Sequence, residues 1–139
     1  MESAVAFSQR SLLLIGRTML GLYFFVFAIQ KMFNWSDIAG YMAAFEVPLI
    51  PVLLPMTVAI QLGAGFCLIV GYRAHLSSFL LAGLTLVISL YMHDFWTMEQ
   101  GTQRAHEMQN FIKNLAIMAG LMYVSGTCST EAREGSIDS

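Results

Sequence analysis

Four blocks of apolar residues, 11–32, 48–72, 74–92 and 110–127, each have close to the roughly 20 residues that a helix needs to cross a bilayer. In a chain of 139 residues they leave room only for short joints. Composition agrees: 57% of residues are hydrophobic and 12% charged, and the mean hydropathy is +0.65, whereas soluble domains carry about a quarter charged residues. The expected fold class is all-α: an integral membrane four-helix bundle over residues 11–128, after a polar lead, 1–10, and before a disordered polar tail, 129–139. The first block is read as a retained span and not a cleaved signal, because it is too long and ends in Gln30-Lys31-Met32-Phe33 without a small-residue cleavage site.

The joints carry structure of their own. Within 33–47, Ile38, Tyr41, Met42 and Phe45 recur at helical spacing, with Ser36 or Asp37 as the expected cap. With Trp35 and Tyr41 suited to the water–lipid boundary, this segment is expected to be a short interfacial helix between spans one and two. Pro48, Pro51 and Pro55 mark the start of the second span, and Pro55 should bend it or delay its start. Gly71-Tyr72-Arg73 makes a tight turn, and 93–107 is a longer polar connection. Both longer loops therefore fall on one side, the termini and the 71–74 turn on the other. Arg10, Arg73 and Arg133 on the terminal side, against Lys31 and Arg104 on the loop side with Lys113 one turn inside, place the termini in the cytoplasm of a bacterial inner (plasma) membrane.

Inside the first block, Arg17, Gly21, Phe24, Ala28 and Lys31 step by four, three, four, three and so share one helix stripe. The fourteen residues between its two cations rise about 21 Å, most of a hydrocarbon core roughly 30 Å thick. Such a stripe belongs to an ordered interior. Gln61, in the middle of the second span, must also face another helix, with Gly63 and Gly65 allowing close approach. Ser78, Ala82, Thr85 and Ser89 form a small-residue face on span three.

Polar residues collect at the loop side. Gln30 and Lys31 end span one, His93 and Asp94 end span three, and Glu107, Gln109, Asn110, Lys113 and Asn114 begin span four. Side chains of this kind are costly in lipid and should turn inward, making a polar pocket that opens to the outer face. Snorkelling accounts for Lys31 and Lys113 equally well, but the short Asn114 amide cannot climb a turn to water. A packed polar network and a ligand pocket both stay open at this point.

Other chemistries lack their patterns. His93 and His106 share a loop with Asp94, Glu99 and Glu107, yet their spacing is no recognised ligand pattern and no metal is expected. Cys67 and Cys128 are not a Cys-x-x-Cys pair and read as packing residues. There is no phosphate loop or nucleophile–base arrangement. With a formal net charge of -2 and no basic cluster, nucleic acid is not an expected partner.

Arg17-x3-Gly21-x2-Phe24 leading to Lys31, the glycine-rich second span ending Gly71-Tyr72-Arg73, His93-Asp94-Phe95-Trp96, and Phe111-x2-Asn114-Leu115-Ala116 together resemble the DoxX family, over roughly residues 10–125. Gln61 stands where that family commonly has glutamate, and Ala28 where it often has glycine. The resemblance implies a four-helix integral membrane protein, and it fixes fold better than activity. Members are often labelled oxidoreductases, relatives include the large subunit of thiosulfate:quinone oxidoreductase, and more distant ones are assembly factors. On the first reading the chain is a quinone-linked oxidoreductase subunit. Lys31, His93 and Lys113 would donate to quinone oxygens, Asp94 or Glu107 would handle protons, and Phe24, Phe95 and Trp96 would line the ring site with Asn114 beside it. Arg17 and Gln61 are assigned structural polar roles. Electrons would come from a redox partner. On the second reading the chain is a non-catalytic scaffold or assembly factor whose span-three face docks another membrane protein. The bilayer is the common partner of both, and a second copy of the chain is a further one.

Overall fold

The computed structural model describes the backbone of residues 2–137 and the side chains of residues 7–128. Helices α1 (Glu2–Phe33), α2 (Trp35–Ala44), α3 (Ile50–Val70), α4 (Ala74–Met92) and α5 (Thr102–Ile137) follow in order, with one 3-10 turn, Phe95–Thr97, between α4 and α5. Among the described residues, four stretches are long and apolar enough to cross a membrane: Phe7–Phe33, Ile50–Val70, Ala74–Thr97 and Thr102–Cys128. The short α2 lies between the first two, as its amphipathic spacing requires.

The bundle is apolar outside and partly polar within. Large side chains such as Leu12, Met19, Val26, Phe66, Phe79, Val87, Ile112 and Met122 are exposed, a surface that suits hydrocarbon and not water. Inside, Phe24, Leu68, Leu81 and Leu121 are buried together with Gln61, Ser78, Thr85, Ser89, Glu107 and Asn114. On α1 the expected stripe turns inward, since Gly21, Phe24 and Ala28 are buried while Arg17 and Lys31 at its ends are half-buried.

α1 packs chiefly on α3, and α4 on α5, with α3 joining the two pairs. The first contact runs backbone to backbone. A Cβ on Gly21 would lie 2.8 Å from the Gly65 carbonyl oxygen, and one on Gly65 would lie 3.0 Å from the Gly21 carbonyl oxygen. No side chain fits at that crossing. Gly63, which the sequence reading paired with Gly65, has nothing within 4 Å of a built Cβ and is exposed, because only one of two residues so close in sequence can face α1.

The small-residue face of α4 is consumed inside the chain. Ser78, Ala82, Thr85 and Ser89 are all buried. Their hydroxyls donate back to their own helix: Ser78 to the Ala74 carbonyl (2.6 Å), Thr85 to Leu81 (2.7 Å) and Ser89 to Thr85 (2.7 Å). This corrects the expectation that the face docks another membrane protein, since close packing within the bundle already uses it.

Local details differ from the sequence reading for identifiable reasons. α2 begins after Asn34, whose amide donates to the Gln30 carbonyl at 2.9 Å, and neither Ser36 nor Asp37 caps it. The α1 ladder runs almost unbroken into α2, with Ile38 N–H donating to Asn34. α3 starts at Ile50 and takes Pro55 inside itself, so the proline does not delay it. Pro51 lies in the first turn, where a missing N–H is harmless. α5 starts at Thr102, two turns before the apolar block begins, and continues to Ile137, past Cys128. The side chains beyond Cys128, and residues 138–139, lie outside the described residues.

Candidate functional site

The loop-side half of the bundle encloses a cavity of about 340 Å³. Every helix contributes to its wall: Tyr23, Phe24, Phe27 and Lys31 from α1, Ile38, Tyr41 and Met42 from α2, Leu54, Thr57 and Gln61 from α3, Thr85, Ile88 and Met92 with His93 from the α4 end, and Asn110, Lys113 and Asn114 from α5. Most of the wall is aromatic or aliphatic, with a few polar groups, the usual make-up of a small-molecule site.

Lys31 is placed by its position at the inward-facing end of the α1 stripe. Its Nζ donates to Gln61 Oε1 at 3.1 Å and stands 5.9 Å from the Phe27 ring centroid, within cation–π range. The amine therefore points into the bundle and does not snorkel. Gln61, buried to 4% exposure, keeps its own amide N–H groups unused, because Lys31 is its one side-chain partner. Asn114 is 8% exposed and lines the cavity without a hydrogen bond to any described residue.

Beside the cavity lies a second polar unit centred on Glu107. This carboxylate is 4% exposed. Its Oε1 accepts from the Tyr41 hydroxyl (3.2 Å), and its Oε2 meets His93 Nδ1 at 2.7 Å and Asn110 Nδ2 at 3.5 Å. Lys113 donates to Asn110 Oδ1 at 3.2 Å. With Nδ1 tied to Glu107, the His93 ring is held in a fixed orientation. The Tyr41 phenol, which lies outside the spans, is pushed up to about 12 by partial burial and then by the Glu107 charge. It remains a donor at any physiological pH.

Among the residues expected at the site, Phe24, Lys31, His93, Lys113 and Asn114 are brought together on the wall, and Glu107 stands directly behind His93. Gln61, expected to be structural, also lines the wall. Asp94, Phe95 and Trp96 do not. Asp94 accepts from the Thr97 hydroxyl at 2.8 Å in the turn. Phe95 and Trp96 pack on Phe111, with ring centroids 5.6 and 5.7 Å away, and Arg104 Nε donates to the Phe95 carbonyl at 3.2 Å. The 3-10 turn directs these rings onto α5 and away from the cavity.

Tyr23, Phe27, Tyr41 and Thr57 were missed. Tyr23 and Phe27 had a signal, for they stand two turns and one turn, respectively, before Lys31 on the same face. Arg17 is at the other end of the bundle, its guanidinium lodged against Gly71, where a Cβ would lie 2.7 Å from a guanidinium nitrogen. Its Nε is buried without a hydrogen bond. At that end His75 Nδ1 meets both the carbonyl and the hydroxyl oxygen of Ser125 at 2.9 Å, which pins α4 to α5. Cys67 and Cys128 are free thiols. Among the described residues no group of three or more His, Cys, Asp or Glu side chains is placed to hold a metal ion.

Compared with protein families, residues 12–94 match the family model described as DoxX. The chain belongs to the DoxX family. Neither the curated proteins nor the solved structures contained a match. The DoxX match takes in α1 to α4 and ends on His93-Asp94, so it falls short of the Phe111–Ala116 likeness seen in the sequence. Lys31, Gln61 and His93 thus belong to the matched segment, whereas Glu107, Asn110, Lys113 and Asn114 lie on α5 beyond it. This DoxX protein is an integral membrane protein with four spanning helices.

Proposed function

We propose that the loop-side cavity binds a lipid-soluble quinone and that the chain is a quinone-linked oxidoreductase subunit. The observation that carries this reading is the donor set. Lys31 Nζ, the Gln61 amide and the Asn114 amide face one apolar, aromatic-walled space with hydrogen-bonding capacity left over. These groups open onto the cavity, where the carbonyl oxygens of a ring would satisfy them. A bound quinone supplies two-electron, two-proton redox chemistry, with a membrane partner as electron donor. In this reading Lys31 and Gln61 hold one carbonyl oxygen, Phe24 and Phe27 pack the ring, and Asn114 meets the opposite edge. His93 transfers the proton, and Glu107 orients its ring. Asn110, Lys113 and Tyr41 link that pair to the loop face.

In this reading the protein lies in a bacterial inner membrane with its termini in the cytoplasm and the cavity at the outer face. The excess of arginine on the terminal side supports that orientation.

The test is decylubiquinone binding by purified protein in detergent, joined to quinone-dependent redox activity of membranes with and without the chain. His93→Gln should leave binding within about threefold and lower activity by roughly 100-fold, the low end for loss of a proton-transfer group. Lys31→Ala combined with His93→Ala should abolish both. If the wild type binds no quinone and instead copurifies with one stoichiometric membrane partner that fails to assemble without it, the non-catalytic scaffold replaces this reading.

A further inference from the structure

The cavity holds positive charge with no negative charge to match it. Lys31 has a single hydrogen-bond partner, and that partner is the neutral Gln61 amide. Lys113, the second cation on the wall, donates to another neutral amide, Asn110. The buried carboxylate nearby, Glu107, does not line the cavity, and its oxygens are taken by Tyr41, His93 and Asn110. His93–Glu107 is the one ion pair among the described residues.

A half-buried ammonium turned towards an apolar wall is stabilised by a counter-charge, because an unpaired charge is costlier to take out of water than a paired one. The carbonyl end of α1 supplies at most about half an elementary charge. Two of the three Nζ hydrogens remain unused, and the Gln61 and Asn114 amides add further donors around the same space. Asn114 is more than nine-tenths buried, lines the cavity and makes no hydrogen bond to any described residue. Donors outnumber acceptors on this wall, and its formal charge is positive.

We propose that the cavity selects an amphiphile whose head carries an ionised oxygen, with Lys31 as its counter-ion. This rests on the cavity being the ligand site proposed above and narrows the ligand class. The head is an acidic hydroxyquinone or a carboxylate, and its apolar body lies against the aromatic wall. Gln61, which orients the amine without neutralising it, leaves the charge of Lys31 available to the ligand.

Two matched probe pairs test this by equilibrium binding to the purified full chain in neutral detergent. The first is an alkyl hydroxynaphthoquinone, ionised at neutral pH, against its uncharged methyl ether. The second is dodecanoate against dodecanol. In each pair the acid should bind at least about tenfold more tightly, since a hydrogen bond to a charged group adds roughly 1.5–3 kcal/mol. Lys31→Met should erase that difference. Gln61→Glu, which puts a carboxylate where the ligand oxygen belongs, should erase it while keeping the lysine. A thermal melt of each variant confirms folding, and Gln61→Glu decides the matter if Lys31→Met fails to fold.

Preference in the naphthoquinone pair alone assigns a ring-bearing acid, and preference in both assigns any acidic amphiphile. Equal binding of acid and neutral partner in both pairs by the wild type overturns the proposal, as does a preference that survives both substitutions. The uncharged ether separates the two readings. If it binds and the acid gains nothing, the quinone site stands and the charge selection falls. If only dodecanoate binds, the charge selection stands and the quinone reading falls.

Discussion

The two ends of α1 carry a cation each, on one stripe, and the bundle treats them in opposite ways. Arg17 lies against the backbone of Gly71, where no side chain would fit. Lys31 faces a cavity of about 340 Å³. The Gly71 turn is the cause on one side: glycine at φ 82 leaves a gap the size of a side chain, and the planar guanidinium fills it. On the other side α1 stops at Phe33, and Tyr23, Phe27 and Tyr41 line the space beside Lys31. A cation on a packing seam therefore becomes a structural plug or a binding group according to what its neighbours leave empty.

That contrast can be broken most severely where α1 crosses α3. Gly21→Leu must push the helices apart, because its Cβ alone would meet the Gly65 oxygen at 2.8 Å. A loss of about 3 kcal/mol or more is expected from overpacking with no room to relax, read as a lowered melting temperature and collapse of both ends together. A melt unchanged within a degree or two would show that the crossing is looser than described.

Gly71→Ala should cost about 2 kcal/mol, combining a left-handed backbone at a non-glycine residue with overlap on Arg17. Removing the arginine as well should recover part of that loss, so the double variant Arg17→Ala with Gly71→Ala falls short of additivity. Strict additivity would mean that the plug does not exist. The opposite end predicts the opposite sign. Lys31→Met in the ligand-free protein should be neutral or stabilising, by up to about 1 kcal/mol, because it removes a cation whose one partner is a neutral amide. Destabilisation comparable to that of Arg17→Ala would remove the distinction between the two ends.

The smallest effect belongs to Tyr41. Tyr41→Phe should cost about 1 kcal/mol, one hydrogen bond from a partly exposed phenol to the buried Glu107 carboxylate. The phenol also has a pH signature. Its pKa is raised from 10.0 to about 12, so the stabilisation is present below pH 10 and is lost as pH rises towards 12. Wild type minus Tyr41→Phe absorbance should show phenolate appearing near 12, and titration near 10 would mean that α2 does not rest on Glu107.

Much of this was legible in the sequence because it depends on local repeats. Four apolar blocks gave the spans, the four–three stepping from Arg17 to Lys31 gave the inward face of α1, and the alternation within 35–45 gave α2. The loop-side cluster was legible too, since topology alone puts Lys31, His93 and Glu107 at one end. What could not be read were the pairings. Lys31 meets Gln61 because Gly21 and Gly65 set the depth and rotation of the α1–α3 crossing, a tertiary fact with no periodic trace. Phe95 and Trp96 left the cavity because a single 3-10 turn redirects them. The early start of α5 was hidden because its first two turns are polar on every side, and polar helix has no hydropathy signature.

The self-satisfied hydroxyls of α4 have a mechanical consequence. Ser78, Thr85 and Ser89 bond to their own helix, so sliding or bowing α4 against α5 breaks no hydrogen bond along most of its length. Among the described residues the two helices are tied at two places, His75 to Ser125 at one end and His93 to Glu107 at the other. α4 is a rod pinned at its ends. Its span between the pins carries Thr85 and Ile88 on the cavity wall, so movement of that wall would cost side-chain packing but no hydrogen bond between the two helices.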